Sequence, residues 1–123
     1  MKEKLARVTK ARTEWKDRSI FNFNIFVDYE DFGSQMIGGI GLDEYSKEHE
    51  RRIGTAYGCE MLMQVLQVLD VNDLHEAEGK LIYVLGEGDG LSFRPKGIKQ
   101  LSLDGGKSVI FADVAEEFIN KGE

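Results

Sequence analysis

One stretch of this chain has helical periodicity, and it is apolar on nearly every side. In "TAYGCEMLMQVLQVLD" (55–70), Cys59, Leu62, Met63, Leu66 and Leu69 form a stripe at helical spacing, with Met61, Val65 and Val68 as a second stripe beside it. Only Glu60, Gln64 and Gln67 are left to face water. Thr55, just ahead of the stripes, is a good N-cap. A helix with so little polar surface needs cover on two sides. A sheet supplies one; the chain's own C-terminal segment or a second subunit supplies the other. Cys59 on the stripe is expected to be a small core residue, and Met61 and Met63 to be packing.

The remaining segments read with a period of two. In "SIFNFNIFVDY" (19–29), Phe21, Phe23, Ile25 and Val27 point one way and Asn22, Asn24 and Asp28 the other. Residues 4–15 alternate loosely and are expected to form a charged strand whose lysines protect a sheet edge. "EDFGS" (30–34) reads as a turn into "MIGGIG" (36–41), where three of six residues are glycine. Strict alternation there leaves the face of Gly39 and Gly41 nearly bare, which fits a bent strand or the floor of a pocket. "LDEYSKEHERRIG" (42–54) is expected as an exposed polar connection. "KLIYVLGEG", "LSFRPKGIKQLSL" and "KSVIFADV" are further strands, and "AEEFINK" is a short terminal helix docked by Phe118 and Ile119. At 123 residues the chain has room for one domain, 1–123, and one core. The expected fold class is α+β: a curved, mainly antiparallel sheet packed on one long helix, with a short C-terminal helix.

The formal net charge of −6 disfavours binding of long nucleic acid, which rests on phosphate neutralisation. The charges are segregated, however. Residues 1–18 hold seven of the sixteen Lys and Arg residues, and 53–79 hold none. A small phosphorylated ligand needs only a few local cations. The lone cysteine excludes an internal disulfide, and no apolar run nears the ~20 residues that span a bilayer. With no signal-peptide core at the N-terminus, a soluble intracellular protein is expected. No nucleophile motif, phosphate-binding glycine loop or metal-ligand spacing is present. His49 and His75 lie in separate acidic loops and are expected to be surface residues. No catalytic residue, metal or cofactor is implied.

Two clusters do point to chemistry. "ERRIGTAYG" sets Arg51 and Arg52 against the positive end of the helix dipole, which costs about 0.3–1 kcal/mol per exposed cation. A bound phosphate, received by Arg51, Arg52 and Thr55, would reverse that sign. Neutralisation by Glu48 and Glu50 is the alternative. "FRPKGIKQ" brings together Phe93, Arg94, Lys96 and Gln100. An aromatic ring and a guanidinium can hold a base between them, with Lys96 and Gln100 adding polar contacts. The alternative is an exposed strand end.

The order "FNFNIFVDY", "GGIGLDEYSKEHERRIGTAYGCEMLMQVL", "KLIYVLGEG" resembles that of small phage proteins, the Thoeris anti-defence sponges of the first type. The resemblance spans roughly residues 19–100 and is strongest from "GGIGLDEY" to "RRIGTAYG". It implies a homo-oligomeric nucleotide-binding domain, a dimer or a dimer-built higher assembly, in the host bacterial cytoplasm. Such proteins capture cyclic ADP-ribose-type signals, and some hold cyclic oligonucleotides, without cleaving them. A bacterial defence effector is thereby deprived of its activator. Arg52 and the following Gly-Thr match the family's phosphate position, and the family's pocket lies between subunits. "FRPKGIKQLSLDGG" departs from the family pattern, so Phe93, Arg94 and Gln100 rest on their chemistry alone. Two other classes remain compatible with the residues: a small nucleotide-cleaving phosphodiesterase using clustered carboxylates, and a protein-only inhibitor acting on a host factor through its helix face.

Overall fold

A computed structural model describes residues 1–16, 20–31 and 33–119. The fold is α+β. Six strands form one antiparallel sheet in the order β3-β2-β1-β6-β7-β8, where β1 is Lys2–Lys16, β2 Ile20–Tyr29, β3 Ser34–Gly41, β6 Leu81–Glu87, β7 Arg94–Gln100 and β8 Ser108–Ile110. Between β3 and the main helix, β4 (Asp43–Ser46) and β5 (Arg51–Gly54) make a separate hairpin. Helix α1 spans Ala56–Leu69 and α2 spans Phe111–Ile119. Residues 42–54, expected as a connection, are therefore mostly strand. Ser19, Phe32, Asn120 and Lys121, which the sequence reading placed in a strand, a turn and a terminal helix, lie outside the described residues, as does the side chain of Ile119.

The N-terminal strand is the clearest correction. It lies in the middle of the sheet, paired on one side with β2 and on the other with β6. Its loose alternation has a physical cause. Val8 pairs with Val27 and Lys10 with Phe26, so Thr9 is an extra residue, a bulge that resets the pleat. The Thr9 hydroxyl donates to the Phe26 carbonyl at 3.1 Å. Ala6 and Val8 before the bulge and Ala11 after it are consequently all buried in the core, while Arg7, Lys10 and Arg12 are exposed. The basic residues mark the open face of a central strand rather than an edge.

Strand β2 follows the expected alternation. Phe23, Ile25 and Val27 are buried with Val8, Ile37, Val84 and Ile98 in one cluster that also contains Met61, Val65, Val68 and Leu69 of α1. Asn22 and Asn24, on the other face, are buried too, and stay satisfied because Asn24 Nδ2 donates to Asn22 Oδ1 and Glu14 Oε1. Helix α1 buries the Met61–Val65–Val68 stripe; Cys59 and Met63 of the other stripe are exposed. Its second side is covered in part by the chain itself. Helix α2 packs against α1, and it begins at Phe111, four residues earlier than "AEEFINK" implies, which shortens the preceding strand to three residues.

Three glycines make this packing possible. Gly38 and Gly39 have φ of 112° and 66°, and the β2–β3 register shifts there, so Ile37 and Ile40 pair with the inward Ile25 and Phe23. A Cβ on Gly38 would lie 2.6 Å from the Phe23 carbonyl oxygen. Gly58, in the first turn of α1, would bring a Cβ to 2.2 Å from the Leu42 carbonyl oxygen and 2.5 Å from its Cα. Helix propensity favours alanine over glycine by roughly 1 kcal/mol. Here Gly58→Ala should instead destabilise the protein by about 1–3 kcal/mol, because backbone must move to admit the methyl. Urea unfolding of the variant measures both sign and size.

Candidate functional site

The six-stranded sheet curls around α1 until its two ends approach without hydrogen-bonding to each other. Phe111, at the start of α2, meets Phe23 of β2 edge-to-face with ring centroids 6.3 Å apart. The seam between β3 and the β7–β8 end holds a cleft of about 590 Å³. Met36, Ile37, Gly38 and Ile40 form one wall, and Pro95, Lys96, Ile110 and Phe111 the other, with Glu87 also lining it. A second cleft of about 410 Å³ shares Pro95 and Lys96 with the first and extends along Gln35, Ser92, Phe93 and Arg94. The seam groove comprises these two clefts, which have Pro95 and Lys96 in common.

Lys96 owes its place to a bulge. Leu85 pairs with Gly97 and Gly86 with Pro95, so Lys96 is the unpaired residue of β7. Bulges re-aim side chains, and this one directs an exposed lysine to the junction of the two clefts. Arg94, also exposed, lines the smaller cleft. Among the described residues neither side chain has an ion-pair partner.

The two walls are clasped at one end. Gln35 Nε2 donates to the Phe93 carbonyl at 3.1 Å, and the Tyr29 hydroxyl donates to Gln35 Oε1. Phe93 stands edge-to-face on Tyr29 with centroids 5.8 Å apart, and the Lys4 ammonium lies 5.0 Å from the centre of the Phe93 ring and 5.5 Å from that of Tyr29. Lys4 also pairs with Asp31 at 3.1 Å. Burial, with the Asp31 charge adding to it, pushes the Tyr29 phenol up to about 12. The hydroxyl thus remains a donor throughout the neutral range. Phe93 is only 3% exposed. The expected base-stacking ring is therefore a core residue; the short 3₁₀ turn at Gly90–Ser92 delivers it inward and leaves Arg94 outside.

The cluster at the start of α1 has a different character. The Arg52 guanidinium forks onto Asp43, with Nε to Oδ2 and Nη2 to Oδ1 both at 3.0 Å, and Nη2 also reaches the Asp43 carbonyl at 3.3 Å. The Asp43 side chain is 4% exposed and accepts a further bond from the Phe21 amide at 3.2 Å. Neutralisation of Arg52 thus comes from the facing strand rather than from Glu48 or Glu50. The Arg52 hydrogen bonds hold the Asp43 carboxyl below its ordinary range. Arg51 is exposed and donates to the Arg52 carbonyl at 3.2 Å. Thr55 is the N-cap, accepting from the Gly58 amide at 2.8 Å and donating to the Leu42 carbonyl at 3.2 Å. Arg51, Arg52 and Thr55 do not line the seam groove, nor does Gln100, whose Oε1 accepts from the Lys107 amide at 3.3 Å.

Of the seven residues nominated by sequence, the seam gathers Phe93, Arg94 and Lys96. Sequence reading missed Gln35 and Tyr29; it offered the glycine stretch as a bent strand or a pocket floor, and β3 there lines the larger cleft with Met36, Ile37, Gly38 and Ile40. Cys59, expected in the core, is exposed with its Sγ 4.0 Å from Met63 Sδ. Among the described residues there is no grouping of three His, Cys, Asp or Glu side chains suited to a metal, and no helix is long and apolar enough to cross a membrane. Comparison of the chain with protein-family profiles, curated proteins and solved structures finds no match.

The Asp43–Arg52 pair gives a pH signature. Because the folded pKa of Asp43 is depressed, the unfolded chain takes up the proton first as pH falls. The stabilisation is complete above the unfolded carboxylate value of about 3.9 and is lost as pH falls through the lower folded value. Arg52→Gln should lower the melting temperature at neutral pH and flatten the stability loss below about pH 4, as read by thermal unfolding across pH. Tyr29→Phe, which removes the bond to Gln35, should cost about 1 kcal/mol in chemical denaturation.

Proposed function

We propose that this protein binds a cyclic ADP-ribose-type nucleotide in the seam groove and holds it without cleaving it, withholding the signal from a bacterial anti-phage defence effector. The observation that carries this reading is a pair of cations with no ion-pair partner among the described residues, Lys96 on the apolar cleft and Arg94 on the smaller, more polar one that shares Lys96. Small-ligand sites are typically concave, largely apolar, about 300–1,000 Å³, and furnished with a few polar groups that orient the ligand. The larger cleft alone, at about 590 Å³, has that size. Apolar walls suit a base, and lysine and arginine suit phosphate.

The resemblance over residues 19–100 supplies the ligand class, the phage origin and the host cytoplasm as the place of action. Cyclic oligonucleotides are a second ligand class consistent with the same charges. The reading moves the phosphate-binding role from Arg51 and Arg52 to Lys96 and Arg94, because Arg52 is already held by Asp43. An assembly of two or more copies belongs to the same proposal, with the exposed Cys59–Met63 side of α1 and the open seam as surfaces a second copy would cover.

A thermal-shift screen against cyclic ADP-ribose isomers and cyclic oligonucleotides tests the reading, since a ligand bound only by the native state raises the melting temperature by mass action. The expected result is a concentration-dependent rise with a cyclic ADP-ribose isomer, and intact ligand in the supernatant after denaturation. Cleaved product in molar excess over protein would establish a phosphodiesterase instead. A host protein bound with no small-molecule adduct in native mass spectrometry would establish a protein-only inhibitor. Arg52→Gln should lower the melting temperature of the free protein while leaving the ligand-induced rise intact.

A further inference from the structure

Strand β1 has partners on both sides over only part of its length. Its pairing with β6 runs from Lys2 to Arg7, and the last backbone bonds on that side join Val8 to Gly79 and Lys80. Its pairing with β2 continues to Lys16. Past the bulge, one side of β1 therefore has no partner strand among the described residues. The Ala11 amide points to that side, where it donates to Glu78 Oε2 at 3.1 Å. By the alternation of an antiparallel ladder, the N–H and C=O groups of Thr13 and Trp15 point the same way. Arg12, Thr13, Glu14 and Trp15 are all exposed, and Trp15 is the single tryptophan of the chain. The basic side chains that could guard this edge are turned elsewhere. The Lys10 ammonium lies 5.7 Å from the centre of the Phe26 ring, on the open face of the sheet, and Arg7 donates to the Gly79 carbonyl at 2.8 Å.

We infer that this edge receives the same edge of a second copy, antiparallel, about a two-fold axis at Thr13. The sequence is self-complementary in that register. Thr13 meets Thr13 of the second copy and exchanges both backbone bonds with it, and the Trp15 amide donates to the Ala11 carbonyl of the other chain. On one face Arg12 lies opposite Glu14, twice over by symmetry, and opposite charges in such cross-strand pairs attract. Glu14 accepts from Asn24 through Oε1, so its other oxygen is left for Arg12. On the other face Trp15 lies opposite Ala11, large against small. An axis one residue either way would set Arg12 against Arg12 or Glu14 against Glu14. Glu78 ends the ladder by holding the Ala11 amide, which opposes slippage to a longer overlap. The inference is independent of the nucleotide reading, because none of these residues lines either cleft, and the edge is separate from the exposed side of α1 and from the seam.

Sedimentation of the full chain over a concentration series, with no ligand, tests it. A short edge buries less than a standard interface, so wild type should dimerise with a dissociation constant on the order of 10–100 μM. Trp15, 51% exposed, should shift its emission to shorter wavelength over the same range. Amide exchange at Thr13 and Trp15 should slow as dimer forms. Arg12→Glu and Glu14→Arg each set like charges face to face at both symmetric positions, and each should weaken the dimer at least about tenfold. Arg12→Glu combined with Glu14→Arg restores opposite charges and should recover it. Both positions are exposed, so the variants should fold, and thermal unfolding checks this. A wild type that stays monomeric at about 1 mM overturns the inference. So does a dimer indifferent to Arg12→Glu, or one whose Thr13 and Trp15 amides gain no protection, since its contact then lies on another surface.

Discussion

Wrapping six strands around a single fourteen-residue helix leaves the two end strands facing one another across a gap. Helix α1 fills the concave side of the sheet and buries Met61, Val65, Val68 and Leu69 against residues drawn from β1, β2, β3, β6, β7 and β8. That burial supplies the main hydrophobic driving force, and the curl follows from it. Strand β3 and the short β8 do not hydrogen-bond across the gap, so it persists as a groove. The apolar character of its walls is a by-product of the same geometry. Ile37 and Phe111 pack toward the core, and their neighbours Met36, Ile40 and Ile110 extend that lining outward.

Close approach is the recurring device. Leu42 lies so near the first turn of α1 that position 58 has no room for a methyl group. The same loop receives the Thr55 hydroxyl and is followed by Asp43, which ties β4 to β5 through Arg52 and to β2 through the Phe21 amide. A glycine, a cap and a forked ion pair thus seat the helix start within a few residues of one another. The arginine that the helix dipole disfavours is held by a carboxylate with little exposure to water, where removing either partner strands the other.

The cations beside the seam are of another kind. Lys4 is drawn over two aromatic rings and onto Asp31 within the clasp that closes one end of the seam. Lys96 and Arg94 stand on the groove with no counter-charge among the described residues. In a chain of net charge −6, uncompensated cations lining two clefts, one apolar and one polar, are the feature that the packing does not explain. A nucleotide phosphate is the ligand proposed for them.

Periodicity determined a good deal by itself. The alternation of Phe21, Phe23, Ile25 and Val27 specified the inward face of β2, the stripes after Thr55 specified one helix with its cap, and these local rules needed no knowledge of neighbours. Where a bulge resets the pleat, the period misleads. Thr9 made a central strand look like an edge, and Gly38–Gly39 turned Ile37 and Ile40 to the same side. Arg52, Phe93 and Lys96 all sit in short cationic or aromatic clusters in the sequence. Only tertiary structure decided that the first meets Asp43, the second enters the core, and the third stands open at a groove. Charge type is carried by the residue, but whether a charge is free depends on what the fold brings within 3–4 Å of it.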